Sequence, residues 1–328
     1  MSLRVGFFPQ NNSLWVLRHR GILERSVGDV EWVNLRELPG GGRVDPKRAL
    51  PSQHGDHLFD GGYDFIGTGS TPPVTAQAKG HDVVYVAISG PRYENGRLVV
   101  RDESPIRDAA DLAGKRIALG HGSWQTTLVL LALEKAGLTW RDIEPVDTYG
   151  NAAELFLAGE VDAWVGSYPH LTAVEEQVAV RGLIPTEELF THRSLWFTSR
   201  SFATSRQDEL AAIVDALQES DRWIQDNYAE AAALFVGTGG GDGSAAGDNQ
   251  AAWEHALRTR PWGQLPVTDD FVAEQQHAAD LFRASGLTDR DIRVADAVLP
   301  EVNELVVASA KAAARAGVAP ASRQREQA

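Results

Sequence analysis

The sequence predicts an α/β protein, and three observations carry that reading. Strand-like apolar runs alternate with helical patterns almost throughout, which calls for layered α/β units with largely parallel sheets. At 328 residues the chain is long enough for two domains, each with its own core. The stretch from Tyr63 to Ala87 contains a complete β-loop-α-β unit on its own.

Taken in order, Leu3 to Phe8 reads as a first strand leading into a helix over about 13–24 that carries Leu14 and Trp15. Val30 to Val33 reads as a second strand, and residues 39–62, rich in Gly, Pro, His and Asp, as loop with a short helix. Tyr63 to Ile66 is then a strand, Gly67-Thr-Gly-Ser-Thr71 a turn, and a helix opens on Pro72 and Pro73 before the strand Val83 to Ala87. Proline is tolerated in a first helical turn because those N–H groups lack intrahelical partners anyway. The free donors around such a turn suit an anion or a strongly dipolar ligand.

A second series starts after Arg97-Leu-Val-Val-Arg101: Ile106 to Leu112, the strand Arg116 to Leu119, the turn Gly120-His-Gly-Ser-Trp124, and a helix over about 125–136. Leu128, Leu130, Leu131 and Leu133 fall on several faces of that helix, so it is expected to be buried on more than one side. Thr139 and Asp142 have capping-box spacing, and Asp147 to Tyr149, a helix from Ala152 to Ala158 and the strand Ala163 to Val165 complete the block. Ser194 to Ser199 returns to a strand, and Ser205 with Asp208 repeats the capping-box spacing. Leu210, Ile213, Val214 and Leu217 then mark a long amphipathic helix reaching toward Phe235. After a glycine-rich run from Gly237 to Gly247, helices resume at Gln250 and continue with breaks to about Arg315.

Composition excludes several function classes. A net charge of −14, from 45 acidic and 31 basic residues, argues against nucleic acid or an anionic membrane as partner, since both need a basic footprint. There is no cysteine, hence no disulfide, thiolate metal site or cysteine nucleophile. No apolar run is long enough for a transmembrane segment, and the first residues show no secretory signal. The expectation is a cytoplasmic protein as written, or a periplasmic or cell-surface one if the start codon is misassigned.

Three turns end strands with small polar residues: Pro9-Gln-Asn-Asn-Ser13, Gly67-Thr-Gly-Ser-Thr71 and His121-Gly-Ser-Trp-Gln125. Ligands of open α/β sheets bind outside the carboxyl ends of strands, so turns from two sheets can face one another across a cleft. Ser70, Thr71, Ser123 and the N–H groups after them would then hold an oxyanion without formal positive charge. The same residue types also serve as ordinary N-caps. Trp124, Tyr149, Trp164, Tyr168 and Trp196 are candidate cleft aromatics, although tryptophan is as readily core. His54 and His57, with Asp60, lack a third strong ligand at a standard interval, so no metal is expected. The Gly237 run lacks the Lys-Ser/Thr of a phosphate loop, and Ser123 lacks the second glycine of a hydrolase elbow.

Several of these segments resemble, in order, the aliphatic-sulfonate-binding proteins of ABC importers. They are Thr68 to Val86, Val100-Arg-Asp-Glu-Ser-Pro-Ile106, Asp111-Leu-Ala-Gly-Lys-Arg-Ile117, Gly122-Ser123, Leu131 to Leu138, Gly159-Glu-Val-Asp-Ala-Trp164 and Ala278-Ala-Asp-Leu-Phe282. The resemblance implies a type II periplasmic-binding-protein fold, with two α/β lobes and a ligand cleft between them. Residues 1–97 and 196–328 would form lobe I and residues 98–195 lobe II. It further implies hinge closure on a small organic anion and an ABC permease as partner, with no cofactor. The chain departs from the family in carrying no export signal, and in having Gly166-Ser-Tyr-Pro-His170 where many members have Trp-Asp-Pro. Aryl-sulfinate desulfinases and pyrimidine-precursor synthases share the fold, but their cysteine-based chemistry has no counterpart in this sequence.

Two functions follow as expectations. In the first, the chain binds a small sulfonate or similar anion through Asn11, Asn12, Gly69, Ser70, Thr71, Ser123, Trp124, Gln125, Tyr149, Asn151 and Tyr168. In the second, it is an intracellular enzyme on the same fold, with His57, His121 or His170 as general base and the same turns as oxyanion donors.

Overall fold

Two five-stranded sheets organise the chain. The computed structural model describes residues 2–8, 11–35, 37–38, 50, 55–148, 150–237 and 249–317. The first sheet has the order β2 (Val30–Asn34), β1 (Leu3–Phe7), β3 (Phe65–Thr68), β10 (Leu195–Ser199), β4 (Val83–Ile88). The second has the order β7 (Glu144–Asp147), β6 (Arg116–Leu119), β8 (Ala163–Ser167), β5 (Gly96–Arg101), β9 (Val180–Gly182).

Both sheets follow one plan, and it is less uniformly parallel than the alternating pattern predicts. The parallel pairs are β2–β1, β1–β3, β7–β6 and β6–β8. Strand β10 runs antiparallel to β3 and β4, and β5 antiparallel to β8 and β9. These two are the strands that cross between sheets. A strand arriving directly from the other sheet enters at the edge where the parallel strands end, so it must run against them.

The crossing segments are bonded to each other. Ser89 N–H donates to the Ser194 carbonyl at 3.0 Å, Ser194 N–H to Ser89 Oγ at 2.9 Å, and Arg92 N–H to the Thr191 carbonyl at 3.0 Å.

Helices cover the sheets and explain the long apolar runs: every residue of β4 is buried, as expected of a strand covered on both faces. Helix α4 (Trp124–Lys135) buries all of Thr126 to Leu133, in agreement with its leucines lying on several faces. It packs against α3 (Thr71–Ala78) and α11 (Asp269–Ala284). Their side chains join Ile66, Tyr85 and Ile88 of the first sheet to Leu98, Val100, Ile117 and Leu119 of the second in one apolar cluster. On the far side of the first sheet, α8 (Gln207–Asp226) buries Leu210, Ile213, Val214 and Leu217 against α1 (Asn12–His19), α2 (Ile22–Val27) and α12 (Pro300–Gly317).

Three local expectations change. The helix over 13–24 is two helices, broken at Gly21, whose φ of +58° is left-handed. Ser205 does not cap the long helix. It ends α7 (Arg200–Ser205), which Ser199 caps, and Arg206 at the head of α8 instead pairs with Glu209 and Asp64. The long helix stops at Asp226 and a separate helix, α9 (Tyr228–Ala233), carries the chain on. The run after Gly237 lies outside the described residues. Among the described residues no helix is long and apolar enough to cross a membrane.

Candidate functional site

The turns that follow β1, β3 and β6 are held together by their own side chains. Asn11 caps α1 by accepting from Leu14 N–H at 3.1 Å, and its Nδ2 donates to the Gly67 carbonyl at 2.8 Å, which ties the first turn to the second. A Cβ on Gly67 would lie 2.7 Å from both Asn11 Nδ2 and Trp196 Nε1, so glycine is what lets those two nitrogens converge there. The second turn meets the third through Thr71, whose hydroxyl donates to the Ser123 carbonyl at 2.8 Å and lies 2.9 Å from Thr127 Oγ1. Gly69 backs onto Trp124, with 3.1 Å from its virtual Cβ to Trp124 Cβ.

Much of the hydrogen-bonding capacity of the predicted residues is therefore used inside the fold. Ser123 does what an N-cap does: its Oγ accepts from Gln125 N–H at 3.2 Å and donates to the Gly120 carbonyl at 2.7 Å. Gln125 Oε1 accepts from Gly120 N–H. Ser70 behaves differently. It precedes α3 without capping it, is 6% exposed, and its Oγ has no partner among the described residues. Its carbonyl accepts from Gln275 Nε2 at 2.6 Å, which pins the turn to α11. Asn12, the first residue of α1, is 2% exposed with neither amide atom bonded, and Trp196 Nε1 is likewise buried and unbonded. A buried polar atom left unpaired costs about 1–3 kcal/mol, so each of these three groups calls for an explanation.

Trp124 opens α4 and stacks on His192 of the second crossing segment, with ring centroids 3.9 Å apart and planes tilted by 32°. Its ring edge also lies against Gly96, where a Cβ would come within 2.4 Å of Cη2. Tyr168 follows β8; its hydroxyl accepts from Arg97 at 3.0 Å, donates to Glu175, and its ring meets His255 of α10 (Gln250–Arg258) edge-on at 4.5 Å. Asn151 precedes α5 (Ala152–Ala158) without capping it. Tyr149 lies outside the described residues. Trp164 is 3% exposed and packs on Phe156 beneath Gly166.

The three histidines do not share one place. His57 sits in a short 3-10 turn, Gly55–Leu58, packed on α3, with its carbonyl closed onto Gly62 N–H. His121 is buried beside Trp140, its N–H on Asp147 Oδ1 at 2.9 Å, and His170 is the first residue of α6 (His170–Glu175). In the loop read as a weak metal motif, Asp56 is taken by Lys79 at 2.6 Å and His81 at 3.0 Å, and His54 lies outside the described residues. Among the described residues no group of three or more acidic or imidazole side chains could hold a metal.

Sequence reasoning missed a charged cluster beside the crossing segments. Arg92 is 6% exposed and donates through Nε to the His192 carbonyl at 2.8 Å. Arg260, following α10, reaches Asn95 Oδ1 at 3.2 Å. Burial, and then the charge of Arg260, depress the basicity of Arg92; burial lowers Arg260 to about 10, against an opposing pull from Asp221. His192 is held neutral by burial and by both arginines. Asp221 of α8 accepts at Oδ2 from Gly263 N–H at 3.0 Å and Gln264 Nε2 at 2.6 Å, and burial lifts its carboxyl to about 6 although those donors, Ser13 and Arg260 oppose the rise. The only local signal for this cluster is the pair of Pro-adjacent arginines, Pro91-Arg92 and Arg260-Pro261, which by itself says nothing about charge.

Comparison with known proteins bears directly on this architecture. Residues 48–231 match the family described as NMT1/THI5 like. The alkanesulfonate-binding protein SsuA of Xanthomonas axonopodis pv. citri, solved bound to MOPS, is 30% identical, with a TM-score of 0.75 over 91% of this chain and 98% of that one. The periplasmic aliphatic sulphonate binding protein SsuA of Escherichia coli is 27% identical, with a TM-score of 0.76 over 92% and 99%. An aliphatic sulfonates-binding protein of Bacillus subtilis (strain 168) is 26% identical over 303 residues, 90% of this chain and 85% of that protein. Two sheets with exchanged crossing strands, three strand-end turns drawn together, and these likenesses along nearly the whole chain lead to one assignment: the chain belongs to the NMT1/THI5-like family, has the periplasmic-binding-protein fold, and is a homologue of the aliphatic-sulfonate-binding proteins.

Proposed function

We propose that this chain is the solute-binding component of an ABC importer and that it takes a small aliphatic sulfonate. The observation that carries the reading is the bond from Thr71 to the Ser123 carbonyl. It brings the end of a first-sheet strand against the end of a second-sheet strand, beside the unbonded Ser70 Oγ and near Trp124. A cleft between two sheets, edged by helix starts and unpaired neutral donors, suits an oxyanion on an alkyl chain.

In this reading residues 1–97 with 196–328, and residues 98–195, are the two lobes, and the bonded crossing segments are their hinge. Ser70, Asn12 and Trp196 contact the ligand directly and Trp124 and Tyr168 wall the cleft. Asn11, Thr71, Ser123 and Gln125 set the shape of the turns, and Gly69 allows their close approach. Binding components of importers work outside the cytoplasm, so the protein belongs in the periplasm or at the cell surface and meets a permease there.

The test is a thermal-shift and calorimetric series with ethane-, butane- and hexanesulfonate, the matching carboxylates, and sulfate. A ligand bound only by the folded state raises the melting temperature. Sulfonates are expected to shift it most; a chain that no sulfonate shifts is not a sulfonate-binding protein. Cell fractionation checks the location.

A further inference from the structure

We infer that Arg260 and Arg92 supply the positive charge that holds the ligand's anionic group, on the crossing-segment side of the cleft. The inference rests on the reading of this chain as a binder of an organic anion, and it assigns the charge to residues that no strand-end motif identifies.

Arg92 makes a single side-chain hydrogen bond, from Nε to the His192 carbonyl, and its terminal nitrogens bond to none of the described residues. Arg260 makes one, from Nη2 to Asn95 Oδ1, and its Nε is buried without a partner. Neither lies within 4.0 Å of a described carboxylate. Arg97 and Arg181 likewise leave Nε buried without a partner, and what differs is where the terminal nitrogens go. Arg97 pairs with Glu175, Arg181 donates to the Ser104 and Ile106 carbonyls, and Arg193 donates to the Ser89 carbonyl while facing Glu274. A buried guanidinium with spare donors and no close counter-charge, as at Arg92, is costly, and the neighbouring charge of Arg260 adds to that cost. Arg260 has the buried carboxylate of Asp221, beyond 4.0 Å, to oppose its charge, and Arg92 has no opposing carboxylate among the described residues.

His192, which accepts from Arg92, is the residue on which Trp124 stacks at 3.9 Å, and Trp124 in turn abuts Gly69 of the second turn. Arg260 touches Asn95 of the first crossing segment and acts on Asp221, whose carboxylate also feels Ser13 in the first turn of α1. The arginines thus stand between the hinge and the strand-end turns, at the base of the proposed cleft.

Asn11, Thr71, Ser123 and Gln125 commit side-chain atoms to bonds within the turns, leaving Ser70 Oγ and Trp196 Nε1 as neutral donors. Neutral donors orient an oxyanion, whereas a guanidinium fork supplies charge and paired N–H groups in a geometry suited to two oxygens of one sulfonate. Arg260 is the better placed of the two to meet a ligand, because it is half-buried and has two unbonded nitrogens.

The experiment titrates butanesulfonate, and sulfate as the smallest probe, into the full-length protein, R260Q, R260K and R92K, each checked for folding by circular dichroism and melting. R260Q is expected to melt within a few degrees of the parent without ligand and to bind butanesulfonate at least about 30-fold more weakly. R260K should recover part of the loss. The parent's affinity should fall between 50 and 500 mM NaCl, and R260Q should lose most of that dependence, a readout that a merely structural role would not move. Binding by R260Q within threefold of the parent, with an unchanged salt dependence, overturns the inference while leaving the sulfonate reading intact. R260Q is decisive even if R92K fails to fold, because Arg260 is half-buried at the end of a helix. A parent that binds no sulfonate overturns both.

Discussion

The Thr71 hydroxyl and the Ser123 carbonyl, 2.8 Å apart, join the end of a first-sheet strand to the end of a second-sheet strand. Thr71 is fully buried, so nothing in solvent can replace that bond when it is broken.

Thr71→Val keeps the shape and removes the hydroxyl. It leaves the Ser123 carbonyl without this donor and Thr127 Oγ1 without the hydroxyl oxygen that accepts from it, and an unmet buried group costs about 1–3 kcal/mol. The expected outcome is a lower midpoint in urea at unchanged m-value. Thr71→Ser, which retains the hydroxyl, should cost less. A Val variant as stable as the parent would show that the bond does not hold the two turns together.

Most of the fold was legible because each βα unit carries its own signals. The two prolines opening α3, the leucine-rich α4 and the Thr139–Asp142 capping box all appear where the residue pattern puts them. What local pattern could not supply was direction and partnership. Nothing within β5 or β10 says that it runs against its neighbours, since that follows from arriving from the other sheet. Ser205 has the same spacing to an acidic residue as a true cap, yet a helix end stands there because Ser199 had already started the preceding helix.

The site was legible in outline for the same reason and not in detail. Small polar residues after strands identified the three turns, but the sequence could not distinguish Ser123, which caps its helix, from Ser70, which does not. Trp164 and Trp196 look alike in sequence; one lies under Gly166 in the core and the other brings its Nε1 to Gly67. Arg92 and Arg260 are far apart in the chain and meet only because the first crossing segment runs past the end of α10.

Gly96 gives way to Trp124. A methyl group there would lie 2.4 Å from Cη2 of an indole already held by His192 and Gly69. Gly96→Ala should destabilise by about 1–3 kcal/mol and alter the near-ultraviolet circular dichroism of the displaced tryptophan. Combining it with Trp124→Leu should relieve most of the clash, so the double-mutant cycle should show a coupling of at least about 1 kcal/mol. Additive effects would mean that the indole does not occupy this position in solution.

The pH dependence of stability should carry the signature of Asp221. Its carboxyl rises in the folded protein from an ordinary 3.8 to about 6, because burial outweighs the donors at Oδ2. A carboxyl that holds its proton more tightly when folded adds stability at low pH, fully present below about 4, and that contribution disappears as pH rises through about 6. The unfolded chain releases the proton first, so the loss falls between about pH 4 and pH 6.5 and amounts to at most about 3 kcal/mol. Asp221→Asn retains an oxygen able to accept from Gly263 N–H and removes the titration. Across that window the parent should lose stability relative to the Asn variant in urea melts at closely spaced pH values. Equal slopes for the two proteins would place the ordinary carboxyl equilibrium at Asp221 and show its environment to be wetter than the buried contacts with Gly263 and Gln264 imply.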